Sequence, residues 1–261
     1  MKIAVAATAP IGADVLERLA AKHDVAFLLT RPDAPRGRGR LLAPPPAKEA
    51  ATRLGVPVLQ PERPELPDEL VDAVVVCAYG LYIPPRFLER ALWLNVHPSL
   101  LPRWRGAAPV ERAIMAGDEE TGVTIHRTAE ALDAGPIAAQ ESFPIRPEDD
   151  AGAIFARSAE VAARLLDGVL VAPMFVDQPE EGATYAEKIA PADRELDLAQ
   201  PVDAWRRVRA LSPHIGARAT LHGRRVTVWR ARLEDGLFVP EEVQPEGRRR
   251  MSYDEFLRGV R

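Results

Sequence analysis

The sequence predicts an α/β fold: a Rossmann-like sheet of parallel strands, followed by a small β-rich module. Three observations carry this. The chain opens β-α-β, with apolar runs at 2–7 and 25–30 around a helical period at Ile11, Val15, Leu16 and Leu19. Its most apolar stretch, 73–78, is Val-rich and unalternating, the pattern of a central parallel strand buried on both faces. After residue 200 the pattern changes to short strands with polar turns. A chain of 261 residues, 47% hydrophobic, suffices for one or two domains with a sizeable core.

In order, residues 2–7 form the first strand, 11–19 a helix and 25–30 the second strand. No G-x-G-x-x-G follows the first strand, and Gly37-Arg38-Gly39 opens no helix, so a dinucleotide is not indicated. Residues 31–46 are too rich in glycine and proline for a helix. Their Arg31, Arg36, Arg38 and Arg40 suit either a phosphate backbone or a solvated surface loop. A short helix (47–54), a short strand (56–59) and a proline-rich connection (61–67) lead to the 73–78 strand, which ends in Tyr79-Gly80-Leu81. The strand 93–96 comes next. Pro98 holds His97 out of the helical region, Pro102 and Gly106 keep the loop extended, and 108–116 is helical. Residues 121–128 and 137–143 read as strands. Asp150 caps a helix running to about Leu170, with Ile154, Phe155, Val161, Leu165, Leu166 and Val169 on one stripe. A first domain thus spans 1–177 and a linker 178–200. A second domain, 201–261, opens with a helix (201–211) and continues in strands at 217–221, 225–233 and 237–243.

Composition narrows the function. The single cysteine, Cys77, excludes an internal disulfide and argues against a metal cluster; inside Val74-Val75-Val76-Cys77-Ala78 it reads as a small buried hydrophobe. No apolar stretch approaches the ~20 residues of a membrane span, and the N-terminus lacks a signal-peptide pattern. A cytoplasmic protein that binds no membrane is expected. The net charge of −4 is uneven: residues 1–200 hold 21 basic and 30 acidic side chains, residues 201–261 hold 13 and 8. A basic tail on an acidic body suggests an anionic partner, foremost a nucleic acid, although a merely solvated basic face has the same composition.

Asn95 and His97 stand two apart at a strand end, where open α/β sheets place their chemistry. On extended backbone their side chains share a side. An amide N–H and an imidazole can together donate to an oxygen gaining negative charge in acyl transfer; a neutral imidazole can instead move a proton. Either role needs a group that fixes the ring, usually a carboxylate, and Asp133 in Glu130-Ala131-Leu132-Asp133-Ala134-Gly135-Pro136 is the nearest in a suitable loop. The spacing alone equally fits a turn-capping Asn and an ordinary strand-end His. The rival imidazole, His126, lies mid-strand, away from the expected mouth, and reads as structural.

Asn95-Val96-His97-Pro98-Ser99-Leu100-Leu101-Pro102, followed by Arg103-Trp104-Arg105-Gly106-Ala107-Ala108-Pro109, resembles the signature of the folate-dependent formyltransferases, and among them the branch acting on initiator methionyl-tRNA. Further blocks follow in the family's order: Thr30-Arg31-Pro32-Asp33, Gly37-Arg38-Gly39-Arg40, Ala78-Tyr79-Gly80-Leu81-Tyr82-Ile83-Pro84, Leu132-Asp133-Ala134-Gly135, Thr184-Tyr185-Ala186-Glu187-Lys188 and Met251-Ser252-Tyr253. The chain departs from the family at Ala6-Ala7-Thr8-Ala9, where a Gly-Thr-Pro turn is favoured, and at Pro136, where an acidic residue is usual.

The resemblance implies a formyltransferase domain followed by an OB-like barrel. It implies transfer of the formyl group of 10-formyltetrahydrofolate to initiator methionyl-tRNA, without a metal, by a monomer. Catalysis would fall to Asn95, His97 and Asp133. Tyr79, Gly80, Leu81, Ser99, Leu100, Leu101 and Pro102 would bind the folate, and Arg36, Arg38, Arg40, Arg103 and Arg105 the tRNA. Five strands of ~5–6 residues barely fit into residues 201–261, so the sequence leaves open whether the barrel is closed or incomplete. That shortening makes a sugar-nucleotide N-formyltransferase, which would share the whole first domain, the alternative. Hydrolysis of the folate and a non-enzymatic RNA-binding module are further rivals.

Overall fold

The computed structural model describes residues 1–36, 41–62 and 71–260. Its first elements are β1 (Lys2–Ala7), α1 (Pro10–Ala20), β2 (Asp24–Leu29), β3 (Ala34–Arg36), β4 (Leu41–Ala43), α2 (Pro46–Leu54), β5 (Val58–Leu59) and β6 (Ala73–Cys77). Then come α3 (Pro85–Leu88), β7 (Leu92–His97), β8 (Arg105–Gly106), α4 (Pro109–Ala116), β9 (Glu120–Arg127), β10 (Ile137–Pro144) and α5 (Ala151–Val171). The last are β11 (Tyr185–Ala186), α6 (Pro201–Leu211), β12 (Ala217–Leu221), β13 (Arg224–Glu234), β14 (Leu237–Pro245), β15 (Met251–Ser252) and α7 (Tyr253–Arg258). The chain divides into two compact units. One comprises Met1–Arg105, Gly122–Ser142 and Ala156–Thr184; the other comprises Gly106–Thr121, Phe143–Phe155 and Tyr185–Arg261.

The first unit is built on a sheet of order β10-β9-β7-β6-β1-β2-β5. The pairs β7–β6, β6–β1, β1–β2 and β2–β5 are parallel, whereas β9 runs antiparallel to β7. The all-parallel expectation is therefore corrected at this side of the sheet, a mixture common in large α/β sheets. β6 is central and all five of its residues are buried. One face buries a cluster that includes Phe27, Leu29, Val76, Phe87 and Trp93. Each such side chain contributes roughly 1.5–3 kcal/mol relative to exposure.

On α1, Gly12 allows the helix to lie close against the strands: a Cβ there would meet the Cys77 carbonyl oxygen at 2.6 Å and the Ala7 Cβ at 2.7 Å. Cys77 is 1% exposed, and burial together with the Asp14 charge pushes its thiol up to about 12. The arginine-rich loop contains a short antiparallel hairpin, β3 with β4. Its base is pinned where Lys48 Nζ donates to both Asp33 oxygens at 2.8 and 2.9 Å and Gln60 Nε2 donates to Asp33 Oδ1 at 2.8 Å. α5 begins where the sequence places its cap, the Ala153 N–H donating to Asp150 Oδ1 at 2.9 Å.

The second unit carries an open antiparallel sheet of order β12-β13-β14-β15. Its apolar side buries Val208, Leu211, Val226, Val228, Val243 and Phe256 together. β15 and α7 went unpredicted; Ser252 Oγ caps α7 by accepting from the Glu255 N–H at 3.2 Å. No helix among the described residues is long and apolar enough to cross a membrane. Nor, among them, do three or more His, Cys, Asp or Glu side chains group to hold a metal ion.

Candidate active site

β6 and β7 are parallel, with Val76 opposite Asn95, so both strands release the chain at one edge of the sheet. That is the edge at which open α/β sheets gather their chemistry. Both exits are tight: Ala78 (φ 49), Gly80 (φ 76) and Trp104 (φ 64) all take left-handed backbone. For a residue as bulky as Trp104 this costs about 1–3 kcal/mol, which the surroundings must offset. Here the Trp104 N–H donates to Thr184 Oγ1 at 2.9 Å, and its carbonyl accepts from His97 Nε2 at 2.8 Å.

That carbonyl fixes the imidazole. The residue types point to a carboxylate for this task, but Asp133 Oδ2 lies 3.6 Å from His97 Nδ1, beyond hydrogen-bond length. Asp133 is instead a charge facing the second ring nitrogen. It sits at φ 49, which Asp tolerates better than most residues. Two residues on, Gly135 leaves no room for a side chain, since a Cβ would stand 1.9 Å from the Arg127 carbonyl oxygen. Asn95 Nδ2 donates to Asp133 Oδ1 at 3.0 Å.

The second partner of that amide is His126, 3.0 Å away at Nε2. This corrects the sequence reading of His126 as remote from the mouth. Because β9 is antiparallel to β7, His126 is the register partner of Asn95, and cross-strand partners share a face. His126 Nδ1 lies 3.0 Å from the Arg127 carbonyl, so Nδ1 carries the hydrogen and Nε2 is the bare acceptor. The Asn95 amide consequently turns its nitrogen toward both Asp133 and His126.

His97 is 4% exposed. Burial holds its pKa below the ordinary imidazole value; the Asp133 charge and the Trp104 hydrogen bond oppose this, and His126 adds to it. The ring is therefore neutral at pH 7, with Nε2–H committed to Trp104 and Nδ1 unprotonated beside the carboxylate. A buried neutral base next to an amide N–H and a carboxylate can accept a proton from a nucleophile and stabilise a developing oxyanion.

The other sequence-predicted residues divide. Tyr79 is buried in the core cluster, its carbonyl accepting from Thr8 Oγ1 at 2.8 Å; Gly80 is exposed and Leu81 half-buried. Ser99 and Leu101 are tied into the 98–104 loop. Ser99 Oγ donates to the Arg103 carbonyl (2.7 Å), the Thr124 hydroxyl donates to the Ser99 carbonyl (2.7 Å), and Gln140 Nε2 donates to the Leu101 carbonyl (3.0 Å). Leu100 and Pro102 are half-buried. Arg103 is exposed, its guanidinium 4.4 Å from the centre of the Trp104 ring. Arg105, which the sequence offers as a phosphate contact, is 2% exposed and engages Gln178 Oε1 (3.0 Å) and Glu180 (3.4 Å) within the fold. Arg36 closes β3; Arg38 and Arg40 lie outside the described residues. The sequence reading missed Gln178 and the Trp104 carbonyl altogether, since neither belongs to a pattern of periodicity or spacing.

A family model described as formyl transferase matches residues 1–170. The methionyl-tRNA formyltransferase of Acidothermus cellulolyticus is 40% identical, over 93% of this chain and 92% of that protein. Two solved structures share the fold at lower identity. The methionyl-tRNA formyltransferase from Clostridium thermocellum superposes with a TM-score of 0.65 at 18% identity, over 94% of this chain and 98% of its own. WlaRD, a sugar 3N-formyl transferase solved with dTDP and 5-N-formyl-THF, gives 0.65 at 15% identity, over 95% and 99%.

Proposed function

The chain belongs to the formyl transferase family, and we propose that it moves the formyl group of 10-formyltetrahydrofolate onto the α-amino group of initiator methionyl-tRNA, supplying the formylated initiator for translation. The observation that carries the chemistry is the convergence of half-buried Asn95 and Asp133 on buried His97, with separations of 3.0 Å between Asn95 and Asp133 and 3.6 Å between His97 and Asp133. The choice of acceptor rests on whole-length likeness: the fold is matched equally by a tRNA and a sugar enzyme, while the 40% identical relative acts on methionyl-tRNA by its name.

The donor supplies the electrophilic formyl carbon and a nitrogen that leaves. The exposed backbone at Ala78 and Gly80, both left-handed, is a fitting place for the flat edge of its pterin. As the substrate amine attacks, the new C–N bond forms and the formyl oxygen gains charge. Asn95 turns an N–H to that oxygen. His97 Nδ1 takes the proton shed by the amine, and Asp133 steadies the resulting imidazolium. The C–N bond to the donor then breaks, and the proton passes to the departing nitrogen. As substrate enters, the Asn95 N–H that meets Asp133 turns to the formyl oxygen.

Residues 1–177 carry this chemistry in our reading. Residues 201–261, with their basic excess and open antiparallel sheet, act as a reduced OB-like module against the tRNA, and Arg36, Arg38 and Arg40 meet its acceptor end. The test is formylation of charged initiator tRNA by the purified protein. Transfer that slows by roughly 10²–10³ in His97→Ala supports the reading; no transfer by the wild-type protein sinks it.

A further inference from the structure

Gln178 lies in a segment without sequence pattern, yet every hydrogen-bonding position of its amide is used. Nε2 donates to the Asp133 carbonyl at 2.8 Å and to the Gly135 carbonyl at 2.7 Å. Oε1 accepts from Arg105 Nε at 3.2 Å and Nη2 at 3.0 Å. The segment itself is anchored two residues earlier, where Val176 and Ile137 exchange backbone hydrogen bonds of 2.7 and 2.9 Å. Arg105 directly follows Trp104, whose carbonyl holds His97. One side-chain amide thus ties the loop that fixes His97 to the left-handed turn that presents Asp133.

We propose that Gln178, oriented by Arg105, is a positioning residue that sets the Asp133 carboxylate against His97 and Asn95. The inference rests on the proposed catalytic role of Asp133. Three features give the amide this role rather than that of a general staple. Both acceptors belong to the Asp133 turn, at Asp133 itself and at Gly135. The turn holds Asp133 in left-handed backbone at φ 49, and the two donated hydrogen bonds from Gln178 fall on that turn's own carbonyls. Arg105 is buried, and a guanidinium, which has donors only, fixes which end of the amide faces the turn.

Gln178→Glu separates these contributions. The carboxylate keeps its acceptor toward Arg105 but presents oxygen, not N–H, to two carbonyls, so the turn loses its donors. A displacement of about 1 Å at a catalytic group costs on the order of 10²-fold in rate. We expect kcat for formyl transfer to fall by about that factor with KM little changed. Because the Asp133 charge raises the His97 pKa, withdrawing it moves the acid limb of the pH–rate profile to lower pH. Gln178→Met, equal in length and uncharged, is measured beside it so that a misfolded Glu variant leaves a second reading, and Asp133→Asn serves as reference. Loss of kcat and a shifted acid limb in a folded Gln178 variant, together with loss in Asp133→Asn, support the inference. Wild-type kcat and acid limb in the folded Gln178 variants, with activity lost in Asp133→Asn, overturn it. Full activity in Asp133→Asn overturns instead the catalytic reading beneath it.

Discussion

Asn95→Asp changes one NH2 to oxygen with almost no change in shape, so its consequences are electrostatic. In the wild-type protein Asn95 Nδ2 stands 3.0 Å from Asp133 Oδ1 and 3.0 Å from His126 Nε2. The variant puts a second carboxylate oxygen at that place. Two unit charges 3.0 Å apart repel by about 5 kcal/mol at an effective dielectric near 20, equivalent to about four pKa units. The folded variant therefore keeps an extra proton at pH 7 on the carboxyl pair, which the unfolded chain does not hold. A group whose folded-state pKa is raised gives stability that is lost as pH rises. The unfolding free energy of the variant, relative to wild type, should fall by about 1.4 kcal/mol per pH unit between about pH 5 and 7, above the carboxyl pKa of the unfolded chain and below the raised one. Urea unfolding at several pH values within that window measures it. Turnover should drop by roughly 10²–10³, the scale of one lost oxyanion donor. A urea midpoint with the wild-type pH dependence, together with normal turnover, would refute the placement of Asn95 between Asp133 and His126.

Other consequences follow from the same geometry. His97→Ala and Asn95→Ala should each slow formyl transfer by roughly 10²–10³; near-normal single-turnover rates in either would remove that residue from the mechanism. Burial keeps the His97 pKa below the ordinary imidazole value of 6.5, and a neutral base is required, so the acid limb of kcat/KM should lie below pH 6.5. An acid limb at or above 6.5 would contradict this. Cys77, 1% exposed and with its thiol pushed up to about 12, should resist a thiol reagent at pH 8 in the native protein and titrate as one thiol in denaturant; rapid native reaction would show that the α1–β6 contact opens.

Much of the sheet was legible because buried parallel strands write themselves as apolar runs: 73–78 and 93–96 correspond to β6 and β7. The pairing of Asn95 with His97 was legible too, because alternation on a strand fixes which residues share a side. His126 was misread for a definite reason. Its strand pairs antiparallel with β7, and that direction, not its own neighbours, sets it opposite Asn95. Arg105 looks like a phosphate ligand by charge and loop context, and only the fold reveals that Gln178 and Glu180 engage it. The anchor of His97 could not be read at all: it is the carbonyl of Trp104, and every residue has a carbonyl. What makes this one special is the left-handed turn at φ 64, which no residue type in 103–106 announces. The same holds for Gln178, whose acceptors are the backbone oxygens of a turn some 45 residues earlier.

The most direct test of the central claim pits two acceptors against each other. Purified protein and 10-formyltetrahydrofolate are offered charged initiator methionyl-tRNA and a 4-amino-4-deoxy-sugar nucleotide together, and formylated products are quantified. The account predicts formyl-methionyl-tRNA as the dominant product, formed roughly 10²–10³ more slowly by His97→Ala. Formyl transfer confined to the sugar nucleotide would contradict it.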